Sequence, residues 1–246
     1  MRVFITGGSR GIGESLVKAC VRAGHDVAFT YQSASARSET ITAEARSLAP
    51  QRLCRSWKLD VSSSSEVDSV GESVVREFGG IDAVINNAAI IRIGMAATLP
   101  DRDWNEVIGT NLSGAFHVSR FFLNEFLVNG RGRFIHISSV ARRGMNGQIG
   151  YSASKAGLEG LSGTLAKEYG RRNITSNVVS LGFFDTDMTR TQMAADRKRL
   201  WSEFCPAGRM GRLAEVSAAA LFLMSDEAAF INGETINLTG GMDWVT

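Results

Sequence analysis

The 246-residue chain is poor in cysteine, and its amino-terminal segment has no apolar stretch long enough for a signal peptide or a membrane span. Its three cysteines, Cys20, Cys54 and Cys205, are odd in number, far apart and without metal-ligand spacing. This pattern does not fit a disulfide framework, and it predicts buried thiols in a reducing compartment. We therefore expect a soluble cytoplasmic protein with no metal site and no membrane partner.

An excess of charge of one sign is also missing, since 27 Lys and Arg stand against 25 Asp and Glu. The formal net charge of +2 does not indicate a protein that binds nucleic acid or an acidic polymer. Internal repeats, low-complexity segments and linkers are absent from the sequence. With 44% hydrophobic residues the chain can bury a substantial core. We predict one domain over residues 1–246.

The order of hydrophobic patterns predicts the fold class. Predicted strands lie at Val3–Thr6, Asp26–Tyr31, Leu53–Asp60, Ala83–Asn86, Arg133–Ser138, Thr175–Ser180 and Thr235–Leu238. Helical periods lie between them, at Val67–Phe78, Trp104–Leu127, Tyr151–Tyr169 and Glu215–Ser225. Such alternation predicts an α/β fold: a Rossmann-like, doubly wound parallel sheet of about seven strands with helices on both faces. Ligands of these sheets bind beyond the carboxyl ends of the strands.

A glycine-rich turn follows the first strand, where residues 6–13 read TGGSRGIG before a helical pattern. Gly7 can allow a tight turn, Gly11 can let backbone approach a phosphate, and Gly13 can let the helix lie close to the strand. The helix N-terminus then offers free N–H groups and a positive dipole to a pyrophosphate. A lone glycine motif often has no ligand, but its position at the first strand–helix turn favours nucleotide binding.

Tyr151 and Lys155 lie four residues apart in a helical pattern, which places both polar groups on one face. Each side chain ordinarily titrates near about pH 10. A lysine ammonium beside the phenol favours the phenolate, and so makes the tyrosine a usable acid and base near neutral pH. The same spacing also occurs by chance on helix surfaces, so its meaning depends on the rest of the chain.

The TGxxxGxG spacing and the Tyr–Lys pair together resemble the short-chain dehydrogenase/reductase family. Other positions expected for that family follow in order: Asp60-Val61, Asn86-Asn87-Ala88-Ala89, Asn111 and Ser138-Ser139. Alanine at position 89, where the family usually has glycine, is a mild departure. The resemblance covers essentially the whole chain, and it implies the Rossmann-like fold and reduction of a carbonyl with a nicotinamide cofactor.

The resemblance also implies roles for individual residues. Tyr151 would donate the proton, Lys155 would lower the pKa of Tyr151 and bind the nicotinamide ribose, and Asn111 would anchor a water that links Lys155 to solvent. The implied cofactor-binding set is Gly7, Ser9, Arg10, Gly11, Ile12, Gly13, Asp60, Val61, Asn87, Ala88, Tyr151, Lys155, Phe184 and Thr186. For Asp60 a turn-forming role and for Asn87 a strand-bracing role remain open.

Two adjacent serines compete for the role of holding the substrate oxygen. The usual distance to the tyrosine in the family points to Ser138, whereas the strand motif Ile-Ser-Ser-Val points to its second serine, Ser139. A shorter loop over residues 140–150 reconciles the two. We favour Ser139, because a strand register is harder to shift than a loop length.

The end of the second strand predicts NADPH as the cofactor. Dinucleotide-binding proteins that use NAD normally carry an acidic residue there, which bonds the ribose 2′-hydroxyl and repels a 2′-phosphate. Here the strand ends in Phe-Thr-Tyr-Gln-Ser, without an acid. Arg10 can contact the phosphate through charge-assisted hydrogen bonds. Arg37 is equally well explained as a phosphate ligand or as an exposed helix arginine.

Residues 181–211 read as a substrate loop and lid. The resemblance places backbone at Phe184 and the hydroxyl of Thr186 against the nicotinamide carboxamide. From Met188 to about Phe204 the segment reads as a mobile lid. Met193 and Trp201 are either substrate contacts or ordinary packing.

The segments CPAGRMG (residues 205–211), LFLMSDEAAFINGE (221–234) and GGM (240–242) resemble 3-oxoacyl-acyl-carrier-protein reductases. This implies NADPH-dependent reduction of a 3-oxoacyl thioester in fatty-acid or polyketide-type synthesis, with an acyl carrier protein as partner and Arg131 and Arg172 as docking residues. It also implies a homotetramer, for which the apolar tail Met242–Val245 suits burial. A reductase or dehydrogenase of a free small ketone or secondary alcohol is the alternative. A catalytically silent nucleotide-binding protein is a third hypothesis.

Overall fold

The structure is a computed structural model that describes residues 1–186, 201 and 203–242. A seven-stranded sheet has the order β3-β2-β1-β4-β5-β6-β7, and every neighbouring pair is parallel. The strands are β1 (Arg2–Ile5), β2 (Asp26–Tyr31), β3 (Cys54–Lys58), β4 (Ala83–Asn86), β5 (Gly132–Ser139), β6 (Ile174–Leu181) and β7 (Thr235–Leu238). The predicted parallel sheet of about seven strands is therefore confirmed.

Helices cover both faces of the sheet. They are α1 (Gly11–Arg22), α2 (Ser35–Leu48), α3 (Ser64–Phe78), α4 (Asp101–Ile108), α5 (Gly114–Asn129), α6 (Ile149–Tyr169) and α7 (Leu213–Met224). On one face the buried side chains of α1, α2 and α7 form one hydrophobic cluster with the sheet. On the other face α3, α5 and α6 form the second cluster. These two layers bury the sheet between them, as the alternating sequence pattern predicts.

The strand order determines where a ligand can bind. From β1 the chain proceeds outward to β2 and β3, and it then returns to add β4 on the other side of β1. Two loops therefore diverge where β1 and β4 end side by side, which opens a crevice at the carboxyl edge of the sheet. The glycine-rich turn follows β1 and the Asn-Asn-Ala-Ala segment follows β4, so both motifs lie at this crevice.

The predicted helix at Trp104–Leu127 is divided into α4 and α5 by a five-residue π-helical segment, Gly109–Ser113. The side chain of Asn111 in this segment bonds to the backbone of Ile90, in the loop after β4. Such a widened turn is typical of functional positions in helices. The hydrophobic period continues across it, so the sequence did not indicate the division. None of the described helices is both long enough and apolar enough to cross a bilayer.

Candidate active site

A cleft of about 860 Å³ opens at the carboxyl ends of the strands, within the size range of small-molecule sites. All of the predicted cofactor-binding residues line it: Gly7, Ser9, Arg10, Gly11, Ile12, Gly13, Asp60, Val61, Asn87, Ala88, Tyr151, Lys155, Phe184 and Thr186. Ser139 lines it as well. Among the described lining residues the charged side chains are Arg10, Asp60 and Lys155. A long cleft with few charges fits a ligand that is mostly held by backbone and neutral groups.

The glycine turn at one end of the cleft requires its glycines. Gly7 and Gly11 have φ values of 67° and 54°, in the left-handed region that disfavours other residues. A Cβ atom at Gly13 would lie 2.1 Å from the carbonyl oxygen of Gly7. Because glycine has no Cβ, α1 can start close to the turn, and Gly11, Ile12 and Gly13 of its first turn line the cleft. The arrangement suits a pyrophosphate at the helix N-terminus.

Asn87 and Asp60 each have a structural role beside the cleft. The amide of Asn87 donates to the carbonyl oxygens of Thr6 and Gly7, both at 3.0 Å, and so holds the glycine turn against β4. Asp60 accepts bonds from the backbone N–H and the hydroxyl of Ser62, at 2.9 and 2.7 Å, as a turn former does. Both residues also line the cleft, so the bracing roles and the predicted cofactor contacts are compatible.

The predicted adenosine end of the cleft lies beyond β2. Gln32 and Ser33 line it, and Gln32 donates to the Asp60 carboxylate at 3.2 Å. Arg10 is exposed and also lines the cleft. Arg37 instead bonds to Glu14, with 2.6 Å between Nη2 and Oε1. Of the two arginines considered from the sequence, Arg10 is the one placed at the cleft.

The two candidate serines face different surroundings. Ser138 is buried, and its hydroxyl donates to the backbone oxygen of Lys155 at 2.9 Å, which ties β5 to α6. The hydroxyl of Ser139 is near enough to Tyr151 to lower the pKa of the phenol, and its Oγ accepts from the N–H of Ala141. This geometry favours Ser139 as the residue that contacts a substrate oxygen, because its hydroxyl adjoins the phenol.

Lys155 is 2% exposed, and its Nζ donates to the carbonyl oxygen of Ile137 at 2.7 Å. Burial lowers its pKa to about 8 and raises the pKa of Tyr151 to about 12, with the Ser139 hydrogen bond acting in the opposite direction on the phenol. The expected lowering of the Tyr151 pKa by Lys155 is thus not found in this geometry. The ammonium is directed to a backbone carbonyl and lies 5.6 Å from the phenol ring centre. Tyr151 is therefore held protonated, the form required of a proton donor.

Asn111 does not line the main cleft. Its Oδ1 accepts from the N–H of Ile90 at 2.8 Å, and its Nδ2 donates to the oxygen of Ile90 and to Ser154 Oγ. Together with Lys155 it borders a small cavity of about 10 Å³, close to the volume that one water needs. The side chain thus positions the loop after β4, and the water-anchoring role remains a prediction.

A buried polar chain behind Lys155 was not found by sequence reasoning. His136 on β5 is fully buried, with Nδ1 3.2 Å from the amide nitrogen of Asn86 and Nε2 3.1 Å from Ser176 Oγ. Burial and the nearby charge of Lys155 lower the pKa of His136 to about 3. The imidazole is therefore neutral, and it links strands β4, β5 and β6 beneath the site. A single histidine in an apolar strand gives no sequence signal for such a contact.

The other end of the cleft has apolar walls. Phe183 stacks on Trp201 with 4.5 Å between ring centres, and Ile91 and Met145 line the same region. Phe184 pairs with Gly211 through an isolated parallel bridge, which joins the two ends of the 181–211 segment. Trp201 is one of the described residues, whereas Met188 and Met193 of the predicted lid lie outside them.

Loops from two parts of the chain meet at the mouth of the cleft. Gly94 and Gln148 form an isolated parallel bridge, and the N–H of Gly94 donates to the oxygen of Gly147 at 2.9 Å. Ile93 and Gln148 both line the cleft. These residues were not predicted as site residues, because only the folded chain brings the two loops together.

The proposed docking arginines lie at the opposite edge of the sheet. Arg131 immediately precedes β5 and bonds to Asp226 at 3.3 Å, and Arg172 lies just before β6. At a rise of about 3.3 Å per residue, the eight-residue β5 separates them from the cleft of the same chain by about 26 Å. Their docking role remains a prediction. Among the described residues, no three His, Cys, Asp or Glu side chains are grouped to hold a metal ion.

Comparison with known proteins agrees with this architecture. A family model described as Enoyl-(Acyl carrier protein) reductase matches residues 7–243. The 3-oxoacyl-[acyl-carrier-protein] reductase FabG of Escherichia coli (strain K12) is 39% identical over 243 residues, which cover 97% of this chain and 96% of the relative. The corresponding reductase FabG of Chlamydia trachomatis serovar D is 36% identical over 247 residues, with the same coverage.

Two solved structures share the fold along nearly the whole chain. A putative short-chain alcohol dehydrogenase from Sinorhizobium meliloti 1021 has a TM-score of 0.92 and 30% identity, and the match covers 98% of this chain and 95% of that one. Levodione reductase has a TM-score of 0.92 and 28% identity, with coverage of 98% and 96%. With its glycine turn, its Tyr–Lys pair and these similarities, the chain belongs to the short-chain dehydrogenase/reductase family, oxidoreductases that act on CH–OH and C=O groups with a nicotinamide cofactor.

Proposed function

We propose that this chain is an NADPH-dependent reductase that converts a carrier-bound 3-oxoacyl thioester to the 3-hydroxyacyl form, in fatty-acid or polyketide-type synthesis. The observation that carries the reaction type is that the hydroxyls of Tyr151 and Ser139 lie near each other at the wall of one cleft. These two hydroxyls can meet one carbonyl oxygen together. The two hydroxyls line the same cleft as the glycine turn, and this supports reduction of the carbonyl group over its other reactions.

The chain's own residues would provide the proton and hold the substrate. When bound, the cofactor supplies a hydride to the carbonyl carbon. Tyr151 Oη donates its proton to the carbonyl oxygen, and Ser139 Oγ donates a hydrogen bond to that same oxygen. Lys155, with a pKa lowered to about 8 by burial, can return a proton to the phenol near neutral pH. Fixed positions of these groups provide much of the acceleration.

The apolar end of the cleft supports a neutral acyl substrate. Its described walls include Phe183, Trp201, Ile91 and Met145, without a lysine or arginine that would bind a substrate carboxylate. A 3-oxoacyl thioester is neutral at its reacting end, and its acyl chain favours apolar surroundings. The E. coli relative is named as a 3-oxoacyl-[acyl-carrier-protein] reductase, which supports the same class.

The choice of NADPH is supported at the adenosine end. Gln32 and Ser33 follow β2, where an acidic residue would repel a 2′-phosphate, and Arg10 lines the same cleft. Arg131 and Arg172 are proposed to dock the acidic carrier protein. We also propose a homotetramer.

The second candidate is reduction of a free small ketone. It is favoured by the fold shared with levodione reductase and by the stacked Phe183 and Trp201, which suit a compact ring as well as an acyl chain. A catalytically silent protein is less well supported, because Tyr151 and Lys155 are both present.

A substrate panel tests the proposal. Turnover is measured with a 3-oxoacyl group on an acyl carrier protein, the same group on pantetheine and free cyclic ketones, each with NADPH and NADH. We expect the highest kcat/KM for the carrier-bound substrate with NADPH. Equal kcat/KM for the carrier-bound and free substrates would contradict the carrier role, and faster reduction of cyclic ketones would establish the second candidate.

A further inference from the structure

A mostly buried arginine joins four elements of the fold next to the catalytic half of the cleft. Arg142 belongs to a short 3₁₀ turn, Val140–Arg143, which follows β5 directly, and its side chain is 11% exposed. Its Nε donates to Ser180 Oγ on β6 at 3.2 Å and lies 3.1 Å from Glu159 Oε1 on α6. Its Nη2 donates to Asn237 Oδ1 on β7 at 3.2 Å. One side chain thus fixes the turn to α6, β6 and β7.

The groups that hold this guanidinium are themselves fixed. Glu159 Oε1 also accepts from Thr235 Oγ1 on β7 at 2.9 Å. Ser180 and Asn237 lie opposite each other in the parallel register of β6 and β7, and Ser180 is fully buried. A charged group that is largely removed from water is costly to leave without its partners. The guanidinium is therefore held in one position, and the 3₁₀ turn is held with it.

The same turn orients the hydroxyl of Ser139. Ser139 immediately precedes the turn, and its Oγ accepts from the N–H of Ala141 at 3.2 Å. This bond occupies a lone pair of the oxygen and leaves the hydroxyl proton to be donated to the substrate oxygen. Ala141 is the neighbour of Arg142 in the chain, so a displacement of the turn would reach the hydroxyl through this N–H. Arg142 itself is not among the described residues that line the cleft.

We propose that Arg142 is a positioning residue for the reduction, because it joins the turn after Ser139 to the helix that carries Tyr151. Glu159, its partner on α6, lies about two helical turns after Tyr151 on the same helix. The ion pair therefore sets the distance between the two hydroxyls that would meet the carbonyl oxygen. The inference rests on the proposed function, in which both hydroxyls act on that oxygen. A misplacement of about 1 Å at such a site can cost about 100-fold in rate.

The chain contains a matched control at the other end of the same strand. Arg133 is the second residue of β5 and is 1% exposed. Its guanidinium donates to the carbonyl oxygen of Asn173 at 2.9 Å and pairs with Asp226 at 3.3 Å. Arg133→Met and Arg142→Met therefore each remove a buried guanidinium that ties β5 to its surroundings. Only Arg142 lies beside the catalytic serine.

Kinetics on single and double variants test the inference. We measure kcat and KM with NADPH and the substrate of the panel above that has the highest kcat/KM. We also measure the denaturation midpoint, and nucleotide affinity by calorimetry. Arg142→Met should lower kcat roughly 10- to 100-fold and leave KM and nucleotide affinity within about threefold. Arg133→Met should lower the midpoint comparably and leave kcat within about threefold.

A double-variant cycle with Ser139→Ala provides the readout that a purely structural role would not change. In the Ser139→Ala background the hydroxyl is absent, so adding Arg142→Met should lower kcat by less than about threefold. Should Arg142→Met not fold, Arg142→Lys keeps the positive charge beside Glu159 but lacks the fork that also reaches Asn237. The same cycle then applies, with a loss in the same direction.

Three results would overturn this inference. A kcat in Arg142→Met within about threefold of native would leave the arginine with a structural role alone. Equal losses of kcat in Arg142→Met and Arg133→Met would show a general effect of destabilisation. Losses that multiply in the double variant would show that Arg142 acts independently of Ser139. If the native chain reduced no substrate of the panel, the proposed function would fail together with this inference, whereas the first three results contradict the inference alone.

Discussion

The two halves of the cleft hold their polar groups in different ways. In the adenosine half, Arg10 is exposed and Arg37 forms an ion pair close to solvent. In the catalytic half, Lys155 and His136 are buried and bonded to backbone or to other buried groups. Exposed pairs contribute little free energy because water screens them, whereas a buried polar group that loses its partner is costly. Substitutions should therefore change affinity modestly in the first half and disable the site in the second.

The largest effect is expected at Tyr151. Tyr151→Phe removes the proposed proton donor and leaves the ring, so kcat should fall about 10³-fold or more, within the range of general acid–base effects. Nucleotide binding should stay within about twofold, since the aromatic ring remains. Steady-state kinetics and calorimetry measure the two quantities. Tyr169→Phe, at the end of the same helix, is the control, and turnover near normal in Tyr151→Phe would remove the phenol from the mechanism.

Gly13 is expected to be an exception to the modest effects in the adenosine half, because the structure leaves no room for a side chain at this position. A Cβ at Gly13 would lie 2.1 Å from the oxygen of Gly7, so Gly13→Ala must displace the turn from α1. We expect a loss of nucleotide affinity of about 100-fold or more. Gly160→Ala is the control, because its Cβ meets nothing within 4 Å and alanine should stabilise α6 by about 0.5–1 kcal/mol. Nearly native nucleotide binding in Gly13→Ala would mean that the turn is adaptable.

The two serines of β5 separate a chemical from a structural role. Ser139→Ala should lower kcat about 100-fold with little change in stability, as expected for losing a donor to the reacting oxygen. Ser138→Ala should leave kcat within about threefold and cost roughly 1 kcal/mol of unfolding free energy, because a buried bond to the backbone of Lys155 is lost. Kinetics and chemical denaturation on both variants test this, and the reverse pattern would assign the catalytic hydroxyl to Ser138.

The burial of Lys155 predicts a pH dependence of stability. Its pKa is about 8 in the folded chain against the ordinary 10.5, so between these values the unfolded chain holds a proton that the folded chain has lost. The free energy of unfolding gains a contribution that rises with pH in this window, amounting to about 3 kcal/mol in total. Lys155→Met should lack this contribution. The free energy of unfolding of the native chain minus that of the variant should therefore increase from pH 8 to 10.5 in denaturation measurements.

The control for that slope lies on the same helix. Lys167 is on the exposed side of α6, and Lys167→Met should leave the pH dependence of unfolding as it is in the native chain. If the free energies of unfolding of the native protein and of Lys155→Met changed in parallel with pH, burial would not disfavour the ammonium of Lys155.

The smallest effect is expected at Arg10. Arg10→Ala should reduce kcat/KM with NADPH about tenfold and leave that with NADH within about twofold, because one exposed charge-assisted contact to a phosphate is removed. Kinetics with both cofactors at fixed ionic strength measure the ratio, and Arg22→Ala at the other end of α1 is the control. An equal loss with both cofactors would place Arg10 at the pyrophosphate instead.

Several elements could be predicted from the sequence because their causes are local. β-branched runs separated by helical periods indicated all seven strands, and glycine at positions 7 and 11 indicated a turn with left-handed backbone. The four-residue spacing of Tyr151 and Lys155 required only a helix, and α6 contains both. The division of the helix at Gly109–Ser113 was missed, because its cause is a contact between Asn111 and Ile90, 21 residues apart in the chain.

The sequence by itself determined the family, the parallel sheet and the residues that come to its carboxyl edge, since these depend on backbone preferences and on the period of buried side chains. The tertiary structure decided what each polar group bonds to: Arg37 to Glu14, Ser138 to the backbone of α6, Lys155 to Ile137. It also decided the protonation of the site, with the pKa values of Lys155 and Tyr151 moved in opposite directions by burial. The physical reason is that hydrogen-bond partners and desolvation depend on groups that are distant in sequence and adjacent only in the folded chain.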